Sequence, residues 1–203
     1  MKEDTASTSG KIVVGIVGKI AAGKTTVAKF FEERGFCRVS CSEPLIDLLT
    51  HRVEGYSWVP ELPERREPTR ENLIEFGRYL KERYGGDVLI RLAVDKKRNC
   101  DRIVIDGVRS REEVERIKSL GGRVIYVEAP AGVRFERLVR RGAAKDRGIR
   151  SFEDFRAMDD EEERLYHTSR LKEVADYVIV NDGTLEELRE KVEAIMGSIL
   201  QSR

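Results

Sequence analysis

The 203-residue chain has little cysteine, histidine or amide side chain, and each shortage excludes something. Three cysteines (Cys37, Cys41, Cys100) and two histidines form no C-x-x-C or Cys/His ligand spacing, so a zinc site is not expected. Three asparagines and one glutamine stand beside 38 Lys+Arg and 37 Asp+Glu, the compositional lean of thermophile proteins. Intracellular disulfides are less rare in that setting. Cys37 and Cys100 fall near the starts of expected strands, and the sequence leaves open whether they pair. No apolar run approaches the ~20 residues that span a bilayer. Residues 1–10 are polar and acid-containing, without the apolar segment of a secretory signal. They read as a disordered tail before a domain over 11–203, and the location expected is cytoplasmic. Net charge is only +1, which gives no global attraction to nucleic acid. Neither nucleic acid nor membrane is therefore expected as a partner.

What is present is concentrated in residues 15–26, GIVGKIAAGKTT. Gly18-x4-Gly23-Lys24-Thr25 matches the phosphate-loop pattern G-x-x-x-x-G-K-[ST] in full. Residues 11–17 (KIVVGIV) form a β-branched apolar run suited to a buried parallel strand. Residues 25–34 then open a helix with Val27, Ala28, Phe30 and Phe31 as its apolar face. Glycines let backbone N–H groups approach phosphate oxygens, and the helix N-terminus adds partial positive charge. Gly18, Ala21, Ala22, Gly23, Lys24, Thr25 and Thr26 are thus the expected contacts to ATP. Lys24 reaches the β- and γ-phosphates and the Thr25 hydroxyl ligates Mg²⁺.

Strand and helix alternate through most of the chain, which predicts an α/β three-layer fold with a parallel sheet. Five strands are expected, at 11–17, 36–40, 101–106, 122–128 and 176–181. Ser110 with Glu113 and Thr184 with Glu187 read as capping boxes opening helices 111–120 and 185–200. In the second helix Leu185, Leu188, Val192, Ile195, Met196 and Ile199 repeat at helical spacing, a core stripe. Residues 41–100 form a long, mostly helical excursion. The segment 142–168 is a basic, glycine-flanked loop leading into a helix, and its acidic run 159–163 reads as a solvated face.

Two further signals concern chemistry. Residues 103–106 (IVID) form an apolar strand ending in Asp106, placed to hold Mg²⁺ opposite Thr25. Arg109, just beyond it, sits before a helix N-terminus, where a cation is unfavourable unless an anion accompanies it. An acceptor phosphate fits that place. Arg137 and Arg141 share a helical face at i,i+4 and suit the charge that develops on a transferring phosphoryl group.

With these residues the chain resembles the P-loop kinases of small molecules, over about residues 11–200. It is most similar to the group joining nucleoside monophosphate kinases, dephospho-CoA kinases and archaeal adenylate-kinase-related proteins. Residues 18–26 match the phosphate loop, and Asp106-Gly107 followed by Arg109 matches the nucleoside monophosphate kinase D-G…R element. The run 137–141 (RLVRR) looks like an arginine-bearing lid entry. Residues 175–188 (ADYVIVNDGTLEEL) are similar to the dephospho-CoA kinase tail, which implies that Asn181, Asp182 and Gly183 line the adenine. Residues 68–88 look most like the archaeal proteins. The resemblance implies a P-loop NTPase fold with a five-stranded parallel sheet, a substrate-binding excursion at 41–100 and a lid at 142–168. It departs from dephospho-CoA kinases in the acidic lid helix, and from adenylate kinases in Arg109 lying one residue nearer Asp106.

The expected activity is transfer of phosphate from ATP·Mg²⁺ to a small phosphorylated acceptor, a nucleoside monophosphate or related nucleotide. Lys24, Asp106, Arg137 and Arg141 are its catalytic set. Ser42, Arg70, Arg78, Arg83 and Arg109 are candidates for the acceptor, with Ser42 alternatively a helix cap. Dephospho-CoA is the alternative acceptor, and a non-catalytic nucleotide-binding regulator the alternative class. A GTPase switch would need N-K-x-D, which Asn181-Asp-Gly-Thr is not.

Overall fold

A computed structural model of the chain describes residues 10–142 and 149–201. Residues 1–9 of the expected tail and residues 143–148 of the expected lid lie outside them. Five strands form one parallel sheet: β1 (Ile12–Val17), β2 (Cys37–Ser40), β3 (Arg102–Val108), β4 (Arg123–Glu128) and β5 (Tyr177–Val180). Each begins within a residue of its expected start. Their order is β2-β3-β1-β4-β5. β1 lies between β3 and β4, so the chain reverses its winding direction there. A crevice opens at the carboxyl ends of the strands beside such a switch point. The phosphate loop and Asp106 are both at that end.

Eight α-helices are described: α1 (Lys24–Glu33), α2 (Ser42–Leu49), α3 (Arg70–Tyr84), α4 (Val88–Lys96), α5 (Arg111–Ser119), α6 (Ala131–Arg141), α7 (Phe152–Tyr166) and α8 (Leu185–Gln201), with a 3-10 helix at Thr168–Val174. β1 alternates its side chains between two cores. Val14 and Ile16 meet Phe31 of α1 and Val192 and Met196 of α8, whereas Val13 and Val17 meet Ile90 of α4 and Ile117 of α5. The α1 face is the expected one, Val27, Ala28, Phe30 and Phe31 all being buried. Burying side chains of this size contributes roughly 1.5–3 kcal/mol each, which sets the rotation of the helix on the sheet. Leu185 departs from the expected α8 stripe: it is 62% exposed. As the first helical residue after the Thr184 cap it precedes the turns that reach the sheet. The 41–100 excursion holds α2, α3 and α4 around a small core of its own, with Leu48, Leu49, Leu80, Val88 and Leu92.

Cys37 and Cys100, whose pairing the sequence leaves open, form a disulfide across a separation of 63 residues. It joins the start of β2 to the turn before β3 and so closes the excursion at its root. Constraining an unfolded loop of that length contributes roughly 3–4 kcal/mol. Reducing the protein, or replacing both cysteines by alanine, is expected to lower the melting temperature by roughly 6–16 °C. Equal melting curves with and without reductant would show the bridge to be energetically idle.

Candidate functional site

β1 ends at Val17 and the chain turns through loop 18–23 into α1. A Cβ at Gly18 would run into the Val127 carbonyl oxygen, so the loop can lie close over β4 only with glycine there. Ala21 and Gly23 are left-handed, with φ +57° and +107°, and Ala22 between them is not. Such alternation turns successive N–H groups to one side and makes an anion-binding concavity. Gly23 is the N-cap of α1 and brings no side-chain hydrogen bond, leaving the first-turn N–H groups to an outside acceptor. Lys24 Nζ donates to the carbonyls of Gly18 (2.7 Å) and Lys19 (2.8 Å). Enclosure of that ammonium draws its pKa down to about 8, while the Asp106 carboxylate pulls it back up and Arg109 pushes it further down.

Thr25 follows Lys24, and its Oγ1 donates to Asp106 Oδ2 at 2.8 Å. Asp106 is paired in register with Ile16 and with Ser40. The register then slips, Val17 facing Val108, so that Gly107 (φ +85°) is passed over and the strand bends just beyond the aspartate. A hydroxyl and a carboxylate side by side are hard oxygen donors and suit Mg²⁺, which takes one or two protein ligands and completes its shell from phosphates and water.

On α6, Arg137 donates from one guanidinium nitrogen to Asn181 Oδ1 (3.1 Å) and from another to Ala22 O (3.5 Å), at the back of the phosphate loop. Arg141 is the last residue of α6 and exposed, adjoining residues 143–148. Asn181 is buried, whereas Asp182 and Gly183 beyond it are exposed. Thr26 is half-buried in the first turn of α1.

Of the acceptor-side candidates, the structure brings two to α7. Arg70 pairs with Glu162 at 3.1 Å, and the Arg109 guanidinium lies over the Tyr166 ring, 5.1 Å from its centroid. Arg109 thus rests on an aromatic face, and its backbone N–H donates to Glu113 (2.7 Å), which also takes Lys81. Ser42 is not a helix cap. Cys41 precedes it in that place, and Ser42 Oγ lies 3.1 Å from Ser40 Oγ. Arg78 faces solvent within 3.9 Å of Glu82 in its own helix, and Arg83 pairs with Glu61 at 3.1 Å. Neither of those contacts leads to the loop.

The acidic run 159–163 is a solvated face only in part: Asp160 and Glu161 are exposed, but its first residue is not. Asp159 is buried and receives both terminal nitrogens of Arg134, at 2.6 and 2.7 Å. Arg134 also donates to Ile20 O in the phosphate loop (3.3 Å), and Lys19 lies 3.6 Å from Asp159 and 3.4 Å from Glu163. These contacts dock α7 on the loop, and Arg134, Asp159 and Lys19 were absent from the sequence-derived site. One signal was available: Phe152, Phe155 and Asp159 follow i, i+3, i+7 spacing, and Phe155 is fully buried. Asp159 is therefore on the helix face that Phe155 turns inward.

The sheet order, the loop and the Thr25–Asp106 pair together define a domain of P-loop fold. A family model described as AAA domain matches residues 14–165. The chain belongs to this AAA-domain family and to the UPF0200 proteins. A UPF0200 protein of Sulfurisphaera tokodaii is 30% identical over 189 residues, covering 93% of this chain and 97% of that one. Another from Thermococcus onnurineus is 32% identical over 197 residues, covering 93% and 98%. Among solved structures, shikimate kinase from Acinetobacter baumannii in complex with shikimate superposes with TM-score 0.55 at 16% identity, covering 98% of each chain. Dephospho-CoA kinase from Campylobacter jejuni gives TM-score 0.50 at 17% identity, covering 92% of this chain and 96% of the other. At that identity the likeness is one of fold. Among the described residues no helix is long and apolar enough to cross a membrane.

Proposed function

We propose that the protein transfers the γ-phosphoryl group of ATP to a small phosphorylated acceptor, a nucleoside monophosphate or related nucleotide. The observation that carries the reading is the Thr25–Asp106 contact beside Lys24, next to a loop with left-handed residues at Ala21 and Gly23. Thr25 and Asp106 would hold Mg²⁺, which neutralises charge developing between the β- and γ-phosphates. Lys24 would exchange its two carbonyl partners for phosphate oxygens. The exposed N–H groups of loop and helix bind the β-phosphate, and Arg137, fixed behind the loop, and Arg141, at the lid entry, add positive charge. Arg109, held on Tyr166 at the strand ends, and Arg70 across from Glu162 supply the charge that a phosphorylated acceptor needs. Ser42 lies at the same end of β2, and Asp182 and Gly183 are exposed where a base can lie against them. In this reading catalysis is positioning plus electrostatic stabilisation, with no protein nucleophile.

The direct test is a coupled ADP-release assay with ATP·Mg²⁺ and a panel of ribo- and deoxynucleoside monophosphates and dephospho-CoA. Transfer to one or more nucleoside monophosphates is expected. Transfer to dephospho-CoA alone would replace the acceptor class, and ADP binding without transfer to any of them would favour a non-catalytic regulator. Asp106→Asn, an isosteric change, is expected to shift the Mg²⁺ titration of activity to higher concentration and slow turnover. An unaltered titration would reduce Asp106 to a strand-end residue. Arg109→Ala removes a charged hydrogen-bonding partner worth about 1.5–3 kcal/mol, so the acceptor's KM should rise roughly ten- to hundredfold while that of ATP stays nearly constant. The reverse pattern would put Arg109 on the donor side.

A further inference from the structure

The resemblance to dephospho-CoA kinases puts Asn181 against the adenine, yet its side chain has other work. Its carboxamide is buried behind the phosphate loop and uses both ends. Nδ2 donates to Ala22 O at 2.7 Å, and Oδ1 accepts from Arg137 at 3.1 Å. The backbone N–H of Asn181 donates to Glu128 O (2.8 Å), so the residue is anchored to β4 at the point where β5 has just ended. It also decides what can stand opposite. A Cβ at residue 23 would run into the Asn181 amide nitrogen, so the left-handed Gly23 that opens α1 is shaped against this amide. Ala22 O accepts from Asn181 and lies 3.5 Å from the Arg137 guanidinium. Three parts of the site, contributed by residues 22–23, 137 and 181, therefore meet on one side chain.

We propose that Asn181 is a positioning residue: it holds the turn of the phosphate loop at Ala22 and Gly23 and aims Arg137, joining the base-side loop 181–183 to the phosphate-binding apparatus. The donor and the acceptor of the amide are both required. An aspartate of the same shape keeps an acceptor for Arg137 but turns a second oxygen toward Ala22 O, which then loses its donor and faces like charge. Alanine removes both contacts.

The first arm of the test reads the loop without any ligand. Hydrogen exchange followed by mass spectrometry on the nucleotide-free protein should show the segment 18–27 exchanging roughly tenfold faster in Asn181→Ala and Asn181→Asp than in wild type, the factor expected for one lost hydrogen bond. Segments 12–17 and 123–128 should keep wild-type rates. Unchanged exchange at 18–27, or acceleration spread evenly over the sheet, would overturn the proposal, the latter by making Asn181 merely structural. Wild-type protection in Asn181→Asp alone would also overturn it, because the donor to Ala22 would then be dispensable.

The second arm rests on the nucleotide reading and uses ADP·Mg²⁺ as the probe in calorimetry. Arg137→Ala and Asn181→Ala should together weaken binding no more than the worse single change, since each removes the same arrangement. A double-variant loss equal to the product of the two single losses would overturn the coupling. Failure of the wild type to bind ADP·Mg²⁺ would refute the nucleotide reading and leave the exchange arm to decide the role of Asn181.

Discussion

Lys24→Ala is expected to abolish ATP-dependent phosphoryl transfer, with a fall of at least about 10³-fold in kcat. The ammonium is tied to the carbonyls of Gly18 and Lys19, so it is already held at the loop and its charge is delivered at a fixed place. No other lysine takes this position in the loop. Lys19, five residues earlier, is directed to Asp159 and Glu163 on α7. Truncation leaves the loop backbone and the Thr25–Asp106 pair standing, so the variant should fold and melt near the wild-type temperature. The check is the coupled assay run with whichever acceptor the wild type uses. Activity within tenfold of wild type would refute the assignment of the loop as the phosphoryl-transfer site.

The largest effect on stability is expected from Arg134→Ala. Arg134 and Asp159 are both buried, and the arginine spans Asp159, Ala129 O and Ile20 O. Removing Arg134 leaves the buried Asp159 charge with only Lys19, 3.6 Å away, to offset it, at a cost of roughly 3–5 kcal/mol. For a domain of this size that corresponds to a fall of roughly 6–20 °C in melting temperature. Replacing both partners by apolar residues of similar volume, Arg134→Met with Asp159→Leu, should recover most of the loss, which separates a poorly offset charge from a lost fold determinant.

The same pair carries a pH signature. Burial pushes the Asp159 carboxyl up, but the hydrogen bonds and charge of Arg134, with help from Lys19, hold its pKa below the ordinary 3.8. A depressed carboxylate contributes stability that is present above its unfolded value and is lost as pH falls through the folded one. In the wild type that loss belongs to the range below 3.8. In Arg134→Ala burial acts with less opposition, so the destabilisation relative to wild type should shrink as pH is lowered from 7 toward 4. A destabilisation that does not vary with pH would show that the ion pair is not its source.

What could be read in the chain itself was what a short stretch of sequence specifies. The phosphate loop needs consecutive residues in fixed spacing, so Gly18, Gly23, Lys24 and Thr25 declared it, and the apolar runs on either side declared the strand and helix that aim it. Asp106 could be singled out because an apolar run closing on a carboxylate is expected beside such a loop, and the fold does set it against Thr25. The capping boxes at Ser110–Glu113 and Thr184–Glu187 are equally local, and both form. Tertiary structure decided whatever depends on which segments meet. Arg134 and Asp159 are 25 residues apart and Asn181 and Ala22 159, and no periodicity within either segment names its partner. An acidic run is well solvated on an isolated helix; it becomes an ion-pair anchor only where packing of Phe155 turns Asp159 inward beside Arg134 and Lys19. Arg109 likewise announced a charge in want of company, and the fold supplied the ring of Tyr166. Local hydrogen-bonding geometry is written in sequence spacing, whereas desolvation and charge pairing belong to the neighbours that folding brings together.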